Sequence, residues 1–373
     1  MRICYIGDGG SVHNHFMVEW FVKRGHAVLF LTDTPEKAPA CEVRAVAPRH
    51  GRSWRHLSAA WRVRRAIREW KPDVVHAHNV TGYGYWGALC GFHPLFLTAW
   101  GSDLYLLAKK NLLVRLVVGH TLRQADLITA DARDLCRAAR ELGGGKQEIR
   151  LWQWGVNLAQ WDLPFPAERR EQIRQGADWV FISTRRLRPI YNIDVILRAF
   201  AETAARHPSC RLIVVGEDEQ SESLQRLARE LGIAEAVTFT GWVEQDALQD
   251  FMRSADVFIS VPSSDSTALS LLEAFAARNT IITADLEANR EWIVNQKNGL
   301  LVPPGNVEAL RDAMTWTREH REETLSWRAF NRRLVEERGD REAEMARLEA
   351  WYYEWVTREM AGEFTMHPPQ RLL

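Results

Sequence analysis

Residues 263–275, SSDSTALSLLEAF, set Asp265 and Glu273 eight positions apart around an otherwise apolar run. Ser263, Asp265, Ser266 and Thr267 are residue types that cap helix N-termini. Leu269, Leu271, Leu272, Phe275, Ala276 and Ala277 cover most of a helical surface, which predicts a largely buried helix. Glu273 falls among them, and an unpaired buried carboxylate is costly. If the helix starts near Thr267 or Ala268, its first N–H groups and its dipole make an anion site beside Asp265. A phosphate there and a pair of sugar hydroxyls on Glu273 satisfy both features. A buried salt bridge from Glu273 to an arginine satisfies the second alone, and the residues leave both readings open.

Other clusters carry weaker chemistry. Residues 182–192, ISTRRLRPIYN, place Arg185, Arg186 and Arg188 just past a strand, and arginine suits bidentate phosphate contact. Gly7-Asp8-Gly9-Gly10-Ser11-Val12 half-matches a dinucleotide fingerprint, with Val12 where the third glycine belongs. A tight turn, or a glycine loop approaching another anionic ligand, fits it better. His76 and His78 share one strand face without a convincingly spaced third ligand, so no metal site is assigned. Residues 109–122, KKNLLVRLVVGHTL, are apolar with basic flanks; the pattern favours a buried core helix over one touching a membrane.

The elements that position these residues alternate. RICYI, AVLFLTD, DVVHAH, PLFLTAW, DLITAD and EIRLWQW read as strands of a first half, with helical stretches such as 53–70 and 131–142 between them. After the Pro- and Trp-containing stretch 157–168 the pattern restarts with WVFIST, RLIVVG, AVTFTG, DVFISV, TIITAD and GLLVPP. Two α/β sets predict two doubly wound Rossmann-like domains, 1–160 and 166–340, facing a central cleft. Helices follow, with 341–363 expected to dock back on the first domain and 364–373 expected to be disordered.

The chain has 373 residues, 46% apolar and 26% charged, a globular composition. Its zero net charge is unevenly shared: residues 1–165 hold 22 Lys and Arg against 14 Asp and Glu, a net of +8, and the remainder carries −8. The basic half suits an anionic substrate or an acidic membrane surface, and equally a plain solvated face. Five scattered cysteines read as reduced thiols. No signal-like or membrane-spanning segment is seen, so a cytoplasmic location is expected, with peripheral contact to the inner face of a membrane as its variant.

With these residues in place, the chain resembles the family 4 glycosyltransferases, retaining enzymes of GT-B architecture. The resemblance runs through GHAVLFLTD, KPDVVHAHN, LTAWGSD and ADLITAD, and is strongest in RLIVVGEDEQSESLQRLARELGIAEAVTFTGWV, ADVFISVPSSDSTALSLLEAF and ANREWIVNQKNGLLVPPGNVEAL. It implies transfer of a sugar from a nucleoside diphosphate-sugar to an acceptor hydroxyl in surface polysaccharide or glycolipid synthesis, with no cofactor and no metal. The acceptor is then a saccharide or lipid-linked species, and no nucleic acid is a partner. By position, Asp265 and Glu273 occupy the E-x7-E element, Glu273 on the ribose and Asp265 on the donor sugar. Backbone around Ser266, Thr267, Ala268 and Leu269 meets sugar and diphosphate, with Arg186 as the phosphate-binding arginine. Gly9 and Gly10 match the glycine loop, Glu217, Trp242 and Val243 lie near the nucleobase, and His13, Trp100 and Asp103 fall on the acceptor side.

The chain departs from the family pattern at four places. Tyr191 and Asn192 replace Lys-Gly, so a second phosphate cation must come from Arg185 or Arg188 or is missing. Trp100 replaces a histidine, Asp265 is a shortened Glu, and residues 277–280, ARNT, replace C-G-x-P. These changes keep two alternatives in view: a non-catalytic nucleotide-sugar-binding or scaffold protein, and a nucleotide-sugar epimerase on the same architecture.

Overall fold

The structure, a computed structural model, describes residues 1–46, 54–143, 145 and 147–361, with the backbone alone for 54–57. The tail 364–373 lies outside the described residues. The chain divides into two compact units, Met1–Trp154 with the chain from Ala343 on, and Gly155–Glu342.

Among the described residues the first unit holds seven parallel strands: β1 (Arg2–Ile6), β2 (Ala27–Thr32), β3 (Glu42–Ala45), β4 (Val74–His78), β5 (Leu95–Thr98), β6 (Leu127–Ala130) and β7 (Glu148–Leu151). They lie in the order β3-β2-β1-β4-β5-β6-β7. The second unit holds β8 (Trp179–Ser183), β9 (Cys210–Val215), β10 (Val237–Gly241), β11 (Val257–Ser260), β12 (Thr280–Ala284) and β13 (Leu300–Val302). Their order is β10-β9-β8-β11-β12-β13, again all parallel. Helical crossovers cover both faces, which is why the inner strands are continuous apolar runs rather than alternating ones. Every residue of β4, β8, β11 and β12 is buried.

Every strand read from the sequence is present. The exception in the other direction is β3, an edge strand whose EVRA sequence alternates charged and apolar residues and so carries no apolar run. The chain leaves the first unit at Trp154 rather than near residue 160. The reason is packing: Val156 and Trp161 are buried in the core of the second unit with Phe275 and Trp292.

The helix Arg341–Met360 returns to the first unit. Its Met345, Leu348, Tyr352 and Trp355 join Ile3, Tyr5, Phe21, Phe30 and Phe96 in one core cluster. Polar contacts fix its register. Arg24 and His26 both bond Glu349, at 2.8 Å and 2.7 Å, and the Trp152 Nε1–H donates to the Glu344 carbonyl at 2.9 Å. Beneath it runs a buried chain from the Tyr5 hydroxyl through the Tyr352 hydroxyl to His76 Nδ1, and from His76 Nε2 to Thr98 and Thr129. Burial holds His76 well below the usual histidine range, so it sits there as the neutral ring. Tyr352→Phe strips one link and leaves two buried polar groups unmatched. The variant should lose about 1–3 kcal/mol of stability, read as a lower urea midpoint at unchanged m.

Candidate functional site

In a doubly wound sheet, ligands collect outside the carboxyl ends of the strands where the strand order turns back. In the second sheet that point lies between β8 and β11. The loops leaving these strands, 184–192 and 261–268, carry the arginine cluster and the head of SSDSTALSLLEAF.

The two loops are tied together. Asn192 Nδ2 donates to the Val261 carbonyl at 2.8 Å and to Ser263 Oγ at 2.9 Å, and the Ser263 N–H donates to the Ile190 carbonyl. Asn192 adopts a left-handed conformation (φ 53°), which asparagine tolerates better than most residues, so it fills a backbone role that suits glycine. Arg185 then spans the gap. Its Nη2 donates to Asp265 Oδ2 at 2.6 Å, its Nη1 to Ser270 Oγ at 3.0 Å, and its guanidinium lies over the Tyr191 ring at 4.3 Å. A tenth of the Arg185 side chain is exposed.

The helix Leu269–Ala276 begins just after Asp265, with Ala268 at its N-cap and no side-chain cap. Its first two N–H groups, on Leu269 and Ser270, therefore keep their capacity to meet an anion, while the Leu271 N–H already donates to the Ala268 carbonyl at 3.0 Å. Asp265 turns back instead, its Oδ1 accepting from the Ser266 N–H at 3.1 Å. Ser266 and Thr267 are buried, and Trp292 Nε1–H donates to Thr267 Oγ1.

Glu273 is buried in the second turn, and its Oε1 accepts from Gln245 Nε2 at 3.1 Å. Burial pushes its carboxyl above the usual carboxylate range, opposed by the Gln245 hydrogen bond and by the charges of Arg341 and Arg185. Arg341 shares the stress: burial pulls it down to about 10 while Glu273 holds it up. Gly155 makes room for it. A Cβ on Gly155, whose φ is +65°, would meet the Arg341 Cα at 2.6 Å, and the Gly155 carbonyl accepts from Arg341 Nε. Glu273 is thus a buried carboxylate with Gln245 on one oxygen and the positive charges of Arg341 and Arg185 acting on it.

The arginine carried over from the resemblance is placed differently. The Arg186 side chain is 63% exposed and pairs with Asp218 at 2.8 Å, as does Arg188 at 2.7 Å. Adjacent residues leaving a strand point opposite ways, so only one of Arg185 and Arg186 turns toward the helix. Gly216 permits this, because a Cβ there would lie 2.7 Å from the Arg185 carbonyl. Past Gly216, Glu217 lies near Gly241, whose carbonyl accepts from the Gly216 N–H at 2.9 Å. Trp242 follows with 62% of its surface exposed, while Val243 packs inward on the core.

The remaining candidates lie in the first unit. Gly9 donates to Thr32 Oγ1 and Thr34 Oγ1, and Gly10 to Asp8 Oδ1, so both N–H groups are spent inside the loop. A Cβ on Gly9 would lie 2.4 Å from the Thr34 carbonyl, a packing reason for glycine. Asp103 is fully buried and accepts from the N–H groups of Val80, Trp100 and Leu104, fastening the loops after β4 and β5. His13 rests on Trp154 (ring centroids 4.6 Å) and meets Trp100 edge-on (5.5 Å). His78 stacks on His76, and burial lowers its pKa to about 3. Among the described residues no group of three or more His, Cys, Asp or Glu is disposed to hold a metal.

Arg185 is legible in the sequence as one of three arginines past a strand, whereas Gln245, Ser270 and Arg341 are not singled out there. Gln245 follows β10 in an ordinary helix start, and Arg341 lies 68 positions beyond Glu273, so no local spacing announces either.

Residues 164–333 match the model of glycosyl transferases group 1, and residues 2–132 that of a glycosyl transferase 4-like family. A glycogen synthase of Mycobacterium tuberculosis is 27% identical over 66% of this chain and 60% of its own length. A D-inositol 3-phosphate glycosyltransferase of Acidothermus cellulolyticus is 30% identical over 62% of this chain and 56% of its own. The chain thus spans under two thirds of the length of these curated relatives. In fold, HepE of Anabaena, solved in complex with UDP, superposes with a TM-score of 0.79 at 17% identity, covering 95% of this chain and 100% of HepE. With two Rossmann-like units of the GT-B kind and two matches that together span most of its length, the chain belongs to the group 1 glycosyltransferases, with a 4-like N-terminal half.

Proposed function

We propose that the protein moves a sugar from a nucleoside diphosphate-sugar to an acceptor hydroxyl, with retention at the anomeric carbon. The observation that carries this reading is the convergence of Arg185, Asp265 and the buried Glu273 on one uncapped helix N-terminus. The barrier to transfer lies in separating a glycosyl cation from a diphosphate anion. Fixed positive potential at the leaving group lowers it most effectively. Arg185 and the N–H groups of Leu269 and Ser270 supply that potential, with no metal required. Glu273 takes the ribose hydroxyls, Asp265 a hydroxyl of the donor sugar, and the exposed Trp242 with Glu217 the nucleobase. The UDP bound by HepE supports uracil as that base. The departing phosphate takes the acceptor proton, and the acceptor is a saccharide or lipid-linked saccharide of surface polysaccharide or glycolipid synthesis.

The test is incubation with UDP-, GDP-, ADP- and TDP-sugars, with and without a crude lipid acceptor. The expected result is release of UDP that rises with acceptor, and a product whose anomeric coupling by NMR matches that of the donor. Inversion in the product overturns the retaining mechanism. Donor binding without release from any sugar overturns transfer altogether.

A further inference from the structure

The helix Leu112–Gln124 buries only part of itself. Val118, Gly119, Thr121 and Leu122 pack inward, and a Cβ on Gly119 would lie 2.9 Å from the Leu142 carbonyl, so that half is locked against the helix Arg133–Gly143. The opening turn faces out, fixed there by Asn111, whose Oδ1 accepts from the Val114 N–H at 2.9 Å. Leu112 and Leu113 are each 72% exposed and Leu116 57%, and Leu106 and Leu107 just before the turn are exposed as well. The core-helix expectation for 109–122 thus holds for its second half and fails for its first. Five leucines within eleven residues thus present apolar surface outward, Leu112, Leu113 and Leu116 with most of their area.

Charge identifies what meets them. Lys109, Lys110 and Arg115 are exposed among the leucines. Between Asp103 and Asp126 the sequence holds no acidic residue, and the half of the chain around it carries a net +8. Apolar side chains interleaved with cations and free of acids complement an anionic bilayer, whose headgroups pair the cations while its acyl boundary takes the leucines. No helix among the described residues is long and apolar enough to cross a membrane, so the contact is one of lying on the surface.

We propose that Leu106, Leu107, Leu112, Leu113 and Leu116, with Lys109, Lys110 and Arg115, form a docking surface for an anionic membrane. It stands independently of the sugar-transfer reading, and where both hold it brings a lipid-linked acceptor to the enzyme. The test is flotation of the full chain with phosphatidylcholine vesicles, alone and with about a third phosphatidylglycerol. Binding should favour the anionic vesicles by at least about tenfold and weaken at high salt. Leu112→Ser with Leu113→Ser should cut that binding by about 10- to 100-fold, and Lys109→Glu with Lys110→Glu by about tenfold or more. All four positions are exposed, so an unchanged thermal midpoint certifies the fold of each variant. Equal binding to both vesicle types, or undiminished binding by the leucine variant, overturns the proposal. So does a concentration-dependent dimer that the leucine variant abolishes without vesicles, which would assign the face to a second copy of the chain.

Discussion

Arg185→Ala is expected to reduce kcat for sugar transfer by about 10²–10³-fold, the loss typical of removing one preorganised donor at a developing charge. Arg186→Ala, one residue away, should stay within about threefold, because an exposed arginine shared with Asp218 contributes little. The contrast separates position from charge, since both variants lower the net charge equally. Arg185 is pinned by the Tyr191 face and Ser270, so its fork costs little further ordering when a diphosphate arrives. Arg185→Lys should recover only part of the rate, because an ammonium cannot span Asp265 and Ser270 at once. Steady-state kinetics on the three variants, with circular dichroism to confirm folding, decide the matter. Equal losses for Arg185→Ala and Arg186→Ala would return the leaving-group role to the pair.

Glu273→Gln should weaken UDP binding by about 10- to 100-fold, the worth of one or two charged hydrogen bonds, while the ligand-free protein becomes more stable. The two effects have one origin. Burial raises the Glu273 pKa in the folded chain. Ionising it therefore costs stability, a cost absent below the unfolded carboxylate pKa of about 4.3 and complete above the folded one. The glutamine variant escapes it, so its advantage in urea midpoint should be small at pH 4, grow as pH rises and then level off. Titration calorimetry with UDP and urea unfolding at pH 4 and pH 8 read the two halves. A variant that binds UDP normally removes Glu273 from the ribose, and one destabilised at pH 8 shows that Arg341 and Arg185 more than compensate its burial.

Much of the fold was legible because parallel strands covered on both faces must be apolar along their length, as in VVHAH and WVFIS. The edge strand β3 escaped for the converse reason. The helix carrying Glu273 was legible from its apolar surround, and the need for a partner from the cost of burying a carboxylate. Which arginine turns toward that helix was not. Arg185 and Arg186 are chemically identical neighbours, and the choice rests on the direction of the chain leaving β8, on Gly216 beside it and on the left-handed turn at Asn192. Arg341 was out of reach because only the folded chain, through the isolated bridge between Val156 and Asp340, brings it within electrostatic reach of Glu273.

The return of the helix Arg341–Met360 to the first sheet also governs how the protein is made. The hydroxyls of Tyr5 and Tyr352 meet across 347 positions of sequence, and Met345, Leu348 and Trp355 complete a core whose other members are all synthesised before β8. At roughly 5–20 residues per second, a ribosome needs on the order of 10–40 s between finishing β7 and delivering Tyr352. Through that interval Tyr5, Phe21 and Phe96 lack their cover. The second unit, continuous from Gly155 to Glu342, meets no such wait. The later half of the message can therefore yield a finished domain first, while the earlier half keeps part of its core uncovered until the last helix emerges.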